Sequence, residues 1–239
     1  MPLMQAIGTI RGLWRYPIKS LRGEQVEHVE LDERGVVGDR VWGLVDPEGK
    51  IASDKHTRRF RRVAGLMHHA ARYDGDTAVI VLANGREIRV DDPATRDAVT
   101  TIAGEEWRLA RERTVSHFDA GSVHLVTSST LEHLARQAGK TVEPERLRPN
   151  ILLQVSGLPA FGEDRWMGAE LIVESARFRV TSRVERCVMA NHSQTGLPYR
   201  RDVLRTIGKT NGACAGIYLD VLQAATLRAG QTVWLEPAR

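Results

Sequence analysis

Short strand-like runs broken by closely spaced turn signals constrain this chain more than any other feature. In its first half the runs 10–14, 26–31, 41–45, 77–82 and 87–90 are apolar or alternating. They are separated by Arg34-Gly35, Asp46-Pro47-Glu48-Gly49, Asp74-Gly75-Asp76 and Asn84-Gly85, the residue types that end strands and form turns. Asn84-Gly85 is the best hairpin candidate, because both residues tolerate positive φ. A chain built from short strands must hide their edges, and a closed or partly closed barrel does so. Helices interrupt the pattern in few places. One follows Asp92-Pro93 over 94–102, with proline in its first turn and Gly104 just past its end. In the second half, strand 123–127 leads straight into a helix at Ser128, where Ser129 and Glu132 have capping-box spacing. Further strands are predicted at 151–155, 171–173, 176–181, 216–222 and 232–235. Asp202 is placed to cap a helix through Val203, Leu204 and Ile207 that ends near Gly208. The fold class is therefore mostly β (α+β), with a seam at 116–121 that divides the chain into 1–118 and 119–239.

A chain of 239 residues buries a sizeable core without disulfide support. No apolar run approaches the roughly 20 residues of a membrane span. The segment Met1-Pro2-Leu3-Met4-Gln5-Ala6-Ile7-Gly8 lacks the basic and apolar regions of a secretory signal. A cytoplasmic protein with no membrane partner is the expectation. The two cysteines, Cys187 and Cys214, are not expected to pair in a reducing compartment, and no Cys/His cluster has zinc spacing. Net charge is +4 with a pI near 9.3. Arginine supplies most of the positive charge and makes forked contacts with phosphate, which favours an anionic ligand. Nucleic acid is the rival partner. Outside the run Lys55-His56-Thr57-Arg58-Arg59-Phe60-Arg61-Arg62 the basic residues are dispersed, and no recognition motif accompanies that run, so no nucleic-acid partner is expected.

Five segments carry possible chemistry. In Arg183-Val184-Glu185-Arg186-Cys187, two arginines near a cysteine favour the thiolate, the form that binds metals or attacks electrophiles. The same cysteine also reads as a small buried hydrophobe. In Arg146-Leu147-Arg148-Pro149-Asn150-Ile151, Pro149 pushes Arg148 toward extended geometry. Arg148 and Asn150 would then share a face, offering a cation and an amide to one ligand, or Arg148 would simply form a surface ion pair. Tyr16-Pro17-Ile18-Lys19-Ser20 sets a lysine beside a hydroxyl, suited to phosphate or merely solvated. Gly35-Val36-Val37-Gly38-Asp39-Arg40 suggests a tight turn that places Arg40 at a strand start. Thr127 and Ser128 stand at a helix start, where free N–H groups favour an anion and where capping serves equally well. The eight histidines form no metal-binding pattern, and no nucleophile elbow, P-loop or dinucleotide fingerprint is present. Cys214, in a glycine-rich stretch, reads as structural.

In this order the segments resemble the MOSC family, named for the C-terminal domain of molybdenum cofactor sulfurase. YPIKS followed by GVVGDRVWGLVDPEGK is similar to the family's N-terminal β-barrel domain. HLVTSSTLEHL, RLRPNI, FGEDRWMGAELIV and RCVMANHSQTG are similar to the MOSC domain proper, and the likeness covers nearly the whole chain. It implies a β-barrel MOSC domain packed with an N-terminal β-barrel-like domain and a few helices. The layout resembles the amidoxime-reducing components. That likeness implies a molybdenum cofactor (Mo-molybdopterin) whose metal Cys187 ligates, making Cys187 the catalytic residue. It places Lys19, Ser20, Arg40, Thr127, Ser128, Arg148, Asn150 and Arg186 around the pterin and its phosphate. The implied activity is reduction of small N-hydroxylated substrates such as amidoximes. Because the chain stops at Arg239 without the cysteines of an iron–sulfur domain, electrons are expected from a separate ferredoxin- or cytochrome b5-like carrier. Asp164, in the FGEDRW segment, is a candidate proton donor. Glu185 stands where the mitochondrial members have serine, which bears on substrate preference. No pyridoxal-phosphate domain is attached, so pyridoxal phosphate binding is not expected. The alternative function is a molybdenum-cofactor or sulfur carrier that holds a persulfide on the same cysteine.

Overall fold

The computed structural model describes residues 4–114 and 116–238; Met1, Pro2 and Leu3 of the opening segment lie outside the described residues. Seven strands close into a barrel. Around it run Ile151–Gln154, Val123–Thr127, Cys214–Gln223, Ala176–Glu185, Glu170–Val173, Thr232–Glu236 and Gln5–Arg15, which pairs back onto Ile151–Gln154. The chain's first long strand thus closes a barrel whose other strands all come from the second half. Among these seams only Val123–Thr127 with Ile151–Gln154 is parallel, and a parallel pair requires a crossover. Helix α2 (Ser128–Ala138) supplies it.

Burial on both faces explains why the barrel strands Val123–Thr127 and Ile151–Gln154 read as nearly continuous apolar runs. Successive side chains in a strand point to opposite faces. Leu13, Leu125, Ile151 and Leu153 face the barrel interior with Phe178, Ile217 and Leu219. Their neighbours Trp14, Val126 and Leu152 face outward, yet they too are buried, under α2 and α3 (Arg201–Asn211), against Leu131, Leu134, Val203 and Ile207. Both faces of Val123–Thr127 and Ile151–Gln154 are covered, so burial does not alternate along them, whereas Ala176–Glu185 keeps an alternation. Each fully buried side chain of this size contributes about 1.5–3 kcal/mol.

The remaining strands build small sheets beside the barrel. One joins Glu87–Arg89, Thr77–Val81 and Ala70–Asp74; another joins Arg108–Arg111, Trp42–Val45, Ile51–Ser53 and Phe60–Arg62. With α1 (Thr95–Ala103) they enclose a third apolar cluster that includes Ile18, Leu44, Ile80, Val99 and Trp107. A further sheet pairs Thr226–Arg228 with His28–Asp32, and His28–Asp32 with Gly35–Val36. Asn84-Gly85 does turn a hairpin: Val81 faces Glu87 and Gly85 has φ 86°. No helix among the described residues is long and apolar enough to cross a membrane.

Two helix ends differ from expectation. The strand runs into α2 without a spare residue, so its last member, Thr127, is the cap. Its Oγ1 accepts from the Thr130 N–H at 3.3 Å, and Glu132 is exposed. Helix α3 runs past Gly208, which sits exposed inside it with open space around its Cα, and stops at Gly212 in the left-handed region. Asp202 lies within the first turn and pairs with Arg200 at 2.6 Å.

Candidate functional site

The Tyr16–Ser20 segment leaves the end of the first barrel strand and zips onto the segment carrying Arg40. The Arg40 N–H donates to Tyr16 O at 2.7 Å, the Lys19 N–H to Trp42 O at 2.7 Å and the Trp42 N–H to Pro17 O at 3.1 Å. Buried Asp39 accepts from the Tyr16 N–H and from the Arg40 guanidinium. The Arg148–Asn150 segment is clamped from both sides. Asn150 donates its N–H to His124 O, and its carbonyl accepts from the Trp14 N–H. Arg186 joins by donating to Leu147 O at 2.6 Å. Four sequence-distant motifs are thereby fixed to one another by hydrogen bonds, that of Arg186 running from its guanidinium to a backbone carbonyl.

Together they wall a cavity of about 330 Å³ that is lined by Lys19, Ser20, Arg40, Arg148, Arg186 and Cys187. Ser20, Arg40 and Arg148 have φ of 68°, 52° and 52°, a region that non-glycine residues occupy at a cost. The guanidinium carbons of Arg40 and Arg148 lie 4.8 and 4.3 Å from the centre of the Tyr16 ring. Cys187 is exposed and directly follows Arg186 at the start of the Val188–Asn191 turn.

Other expected site residues fall elsewhere. Thr127 and Ser128 do not line the cavity. The start of α2 is filled from within, because the buried Glu163 carboxylate accepts from Thr127 Oγ1 at 2.9 Å and Thr130 Oγ1 at 2.7 Å. Ser128 Oγ accepts from the Val155 N–H at 3.2 Å. The hydroxyls of that helix start are thus engaged by a carboxyl group of the protein itself. Asn150 borders the cavity, but its amide is engaged at both ends, accepting from the His124 N–H and donating to Trp14 O. Asp164 is also away from the cavity, held by Arg183 at 2.8 Å and Asn211 at 2.9 Å.

The structure adds Lys55, Asp119, His124 and Tyr218 to the lining, with Glu185. Asp119 accepts from Lys19 Nζ at 2.7 Å and from Lys55 Nζ at 2.6 Å. Of the cations in the basic run 55–62, Lys55 thus turns toward the cavity, while Arg58, Arg59 and Arg62 stay exposed. Arg59 donates to the carbonyls of Ser116, Phe118 and Asp119, fastening the segment that carries Asp119. No sequence pattern marked Asp119, although it lies in the seam at 116–121.

The cavity is strongly electropositive. Burial lowers Lys19 to about 8, against the pull of Asp119 and with the help of the Arg40 charge. Burial and then the neighbouring Arg40 bring Arg148 down to about 10. Burial also depresses Arg186 and, more strongly, His124. For Arg40 the burial penalty is outweighed by Asp39, and its pKa rises. Burial would raise Asp119, yet the two ammonium groups hold it far below the carboxylate range. Five cationic side chains therefore face two carboxylates, Asp119 and Glu185. Arg186 Nε is a donor buried with no acceptor among the described residues. Unmet buried donors are rare and costly, and this one suits a ligand rich in anionic oxygen.

Family models match the chain over both halves: the MOSC N-terminal beta barrel domain over residues 7–118 and the MOSC domain over residues 112–234. Among curated proteins, the rat mitochondrial amidoxime reducing component 2 is 25% identical, covering 97% of this chain and 84% of that protein. The human mitochondrial amidoxime-reducing component 1 is 23% identical, covering 86% and 72%. Among solved structures, the YuaD protein from Bacillus subtilis has the same fold, with a TM-score of 0.57 over 100% of both chains at 13% identity.

Proposed function

The chain belongs to the MOSC family, and from that premise we propose that it is a molybdenum-cofactor-dependent oxidoreductase that reduces N-hydroxylated compounds. The observation that carries this reading is the cavity itself: cations from both halves of the chain surround one accessible sulfur, Cys187. The curated relatives named above are amidoxime-reducing components, which supports the substrate class.

The donor set fits the cofactor. Lys19, Arg40, Arg148 and Arg186 would hold its phosphate and ring, with Ser20 as a hydroxyl donor, and the Cys187 thiolate would ligate its metal. When bound, it supplies two-electron redox chemistry that accepts an oxygen atom. The protein's part is to orient, neutralise and protonate. In the overall reaction R–NH–OH takes up two electrons and two protons, giving R–NH2 and water. Asp119 stays ionised between its lysines and delivers no proton. The Tyr218 phenol, raised by burial despite the Arg186 charge, stays protonated in the wall. Tyr218 thereby replaces Asp164 as the residue to test for proton delivery. Electrons come from a separate carrier protein.

Metal analysis of the purified protein, run beside benzamidoxime reduction with a supplied electron donor, tests the proposal. Cys187→Ser is expected to lose activity at least a hundredfold with an unchanged circular dichroism spectrum. Full activity in a metal-loaded Cys187→Ser protein refutes the ligand assignment. A stable persulfide on Cys187, without molybdenum uptake on reconstitution, favours a sulfur carrier instead.

A further inference from the structure

A second cavity of about 180 Å³ shares Arg148 with the first and is walled also by Tyr16, Arg22, Glu145 and Gln194. Three buried donors on its lining have no acceptor among the described residues: Arg22 Nε, Arg148 Nη2 and Gln194 Nε2. Gln194 is 4% exposed, so bulk water does not serve its amide. The three come from distant stretches, and each is set by backbone bonds rather than by its side chain. The Arg22 N–H donates to His69 O, and Gln194 exchanges N–H and C=O bonds with Leu197. All three residues border this one cavity.

Charge narrows what they await. Two guanidinium groups and the single carboxylate of Glu145 leave one positive charge unmatched on the lining. A neutral ligand leaves that charge standing, and a dianion overshoots it against Glu145. The volume is below the range of organic cofactor pockets and suits a group of a few heavy atoms. We propose that this cavity binds a small monovalent oxyanion of carboxylate type, held by Arg22, Arg148 and Gln194. Its occupant sets the charge around Arg148, whose guanidinium carbon lies 4.3 Å from the Tyr16 ring centre, with that of Arg40 at 4.8 Å. The site stands on its own geometry and does not depend on the reaction proposed above.

Acetate is the probe, its affinity read from saturable thermal stabilisation of the purified protein at constant ionic strength. Arg22→Met and Gln194→Leu are expected to raise the half-saturating acetate concentration tenfold or more. Lys55→Met, which removes a cation from the main cavity only, leaves it within twofold. Glu145→Gln tightens acetate severalfold, a gain that damage to the fold does not produce. A bromide soak of crystals places an anomalous peak between Arg22, Arg148 and Gln194. The proposal is overturned if stabilisation does not saturate, if Lys55→Met weakens acetate as much as Arg22→Met, or if the bromide peak lies only in the main cavity.

Discussion

Lys19 is the cation of the main cavity whose charge is most open to test, because its pKa lies within reach of ordinary buffers. Its side chain is 4% exposed; burial lowers its pKa to about 8, and the carboxylate of Asp119 opposes that fall. An anion entering the cavity adds a second negative neighbour and therefore draws the proton back on. Binding is then linked to protonation above pH 8, and affinity must fall as pH rises. About nine-tenths of Lys19 is charged at pH 7 and about one-tenth at pH 9, so anion affinity drops roughly tenfold, or about 1.4 kcal/mol, over that interval. Sulfate is a suitable probe because it does not titrate there. Calorimetric titration of the cofactor-free protein at pH 7 and pH 9 measures the change. Lys19→Met should bind sulfate weakly at both values and lose the slope, which separates Lys19 from any other group that titrates nearby. A flat wild-type profile, or an undiminished slope in Lys19→Met, refutes the reasoning.

Other perturbations test other parts of the wall. A Cβ on Gly121 would sit 2.4–2.6 Å from three atoms of Tyr218, so Gly121→Ala should cost about 1–3 kcal/mol in urea unfolding; the double variant with Tyr218→Ala should recover most of that cost, and additivity of the two losses would count against the packing account. Ser20→Gly relieves a backbone held at φ 68° and should stabilise the fold by up to about 1 kcal/mol while weakening sulfate; a loss of stability would show that the conformation carries no strain. Glu163 is raised by burial, against the hydrogen bonds of Thr130 and Thr127. The stability it contributes is therefore fully present below the ordinary Glu pKa and lost as pH climbs through the raised folded value. Glu163→Gln should remove that component of the pH–stability curve, and an identical curve in the variant would exclude Glu163 as its source.

How far the sequence reveals this molecule depends on where the determining contacts lie. Val123–Thr127 and Ile151–Gln154 are legible because both faces are apolar, and the hairpin at Asn84-Gly85 because its turn residues decide it locally. Phe60–Arg62 and Arg108–Arg111 carry charged residues along half or more of their length and become strands only by pairing with distant partners. Nothing local announces that pairing. The same division holds in the site. Lys19, Arg40, Arg148, Arg186 and Cys187 sit in compact motifs, and the structure brings them to one cavity. Asp119, Lys55 and Tyr218 reach it through tertiary bonds spanning 64 to 100 residues or through a ring resting on a glycine backbone. Thr127 and Ser128 stand outside the cavity lining, and the carboxyl group that meets the hydroxyls of that helix start, Glu163, arrives from 33 to 36 residues away.

The left-handed residues tie these observations together. Of the six non-glycine residues with positive φ among the described residues, half line the main cavity. Each such conformation costs energy and persists only where surrounding bonds over-determine it. At Arg40 the bonds are known: its N–H is fixed to Tyr16 O while its guanidinium is drawn to Asp39, so backbone and side chain are pinned from different directions. At Arg148 the N–H is held by Pro144 O, and its carbonyl faces both Arg40 Nη2 and His124 Nδ1. A fold that sought stability alone would place glycine there and lose nothing in the backbone. It would also lose the two guanidinium groups that lie against the Tyr16 ring. The strain is thus the structural cost of presenting cations to an interior space, which is sensible only if an anion occupies that space for much of the protein's life.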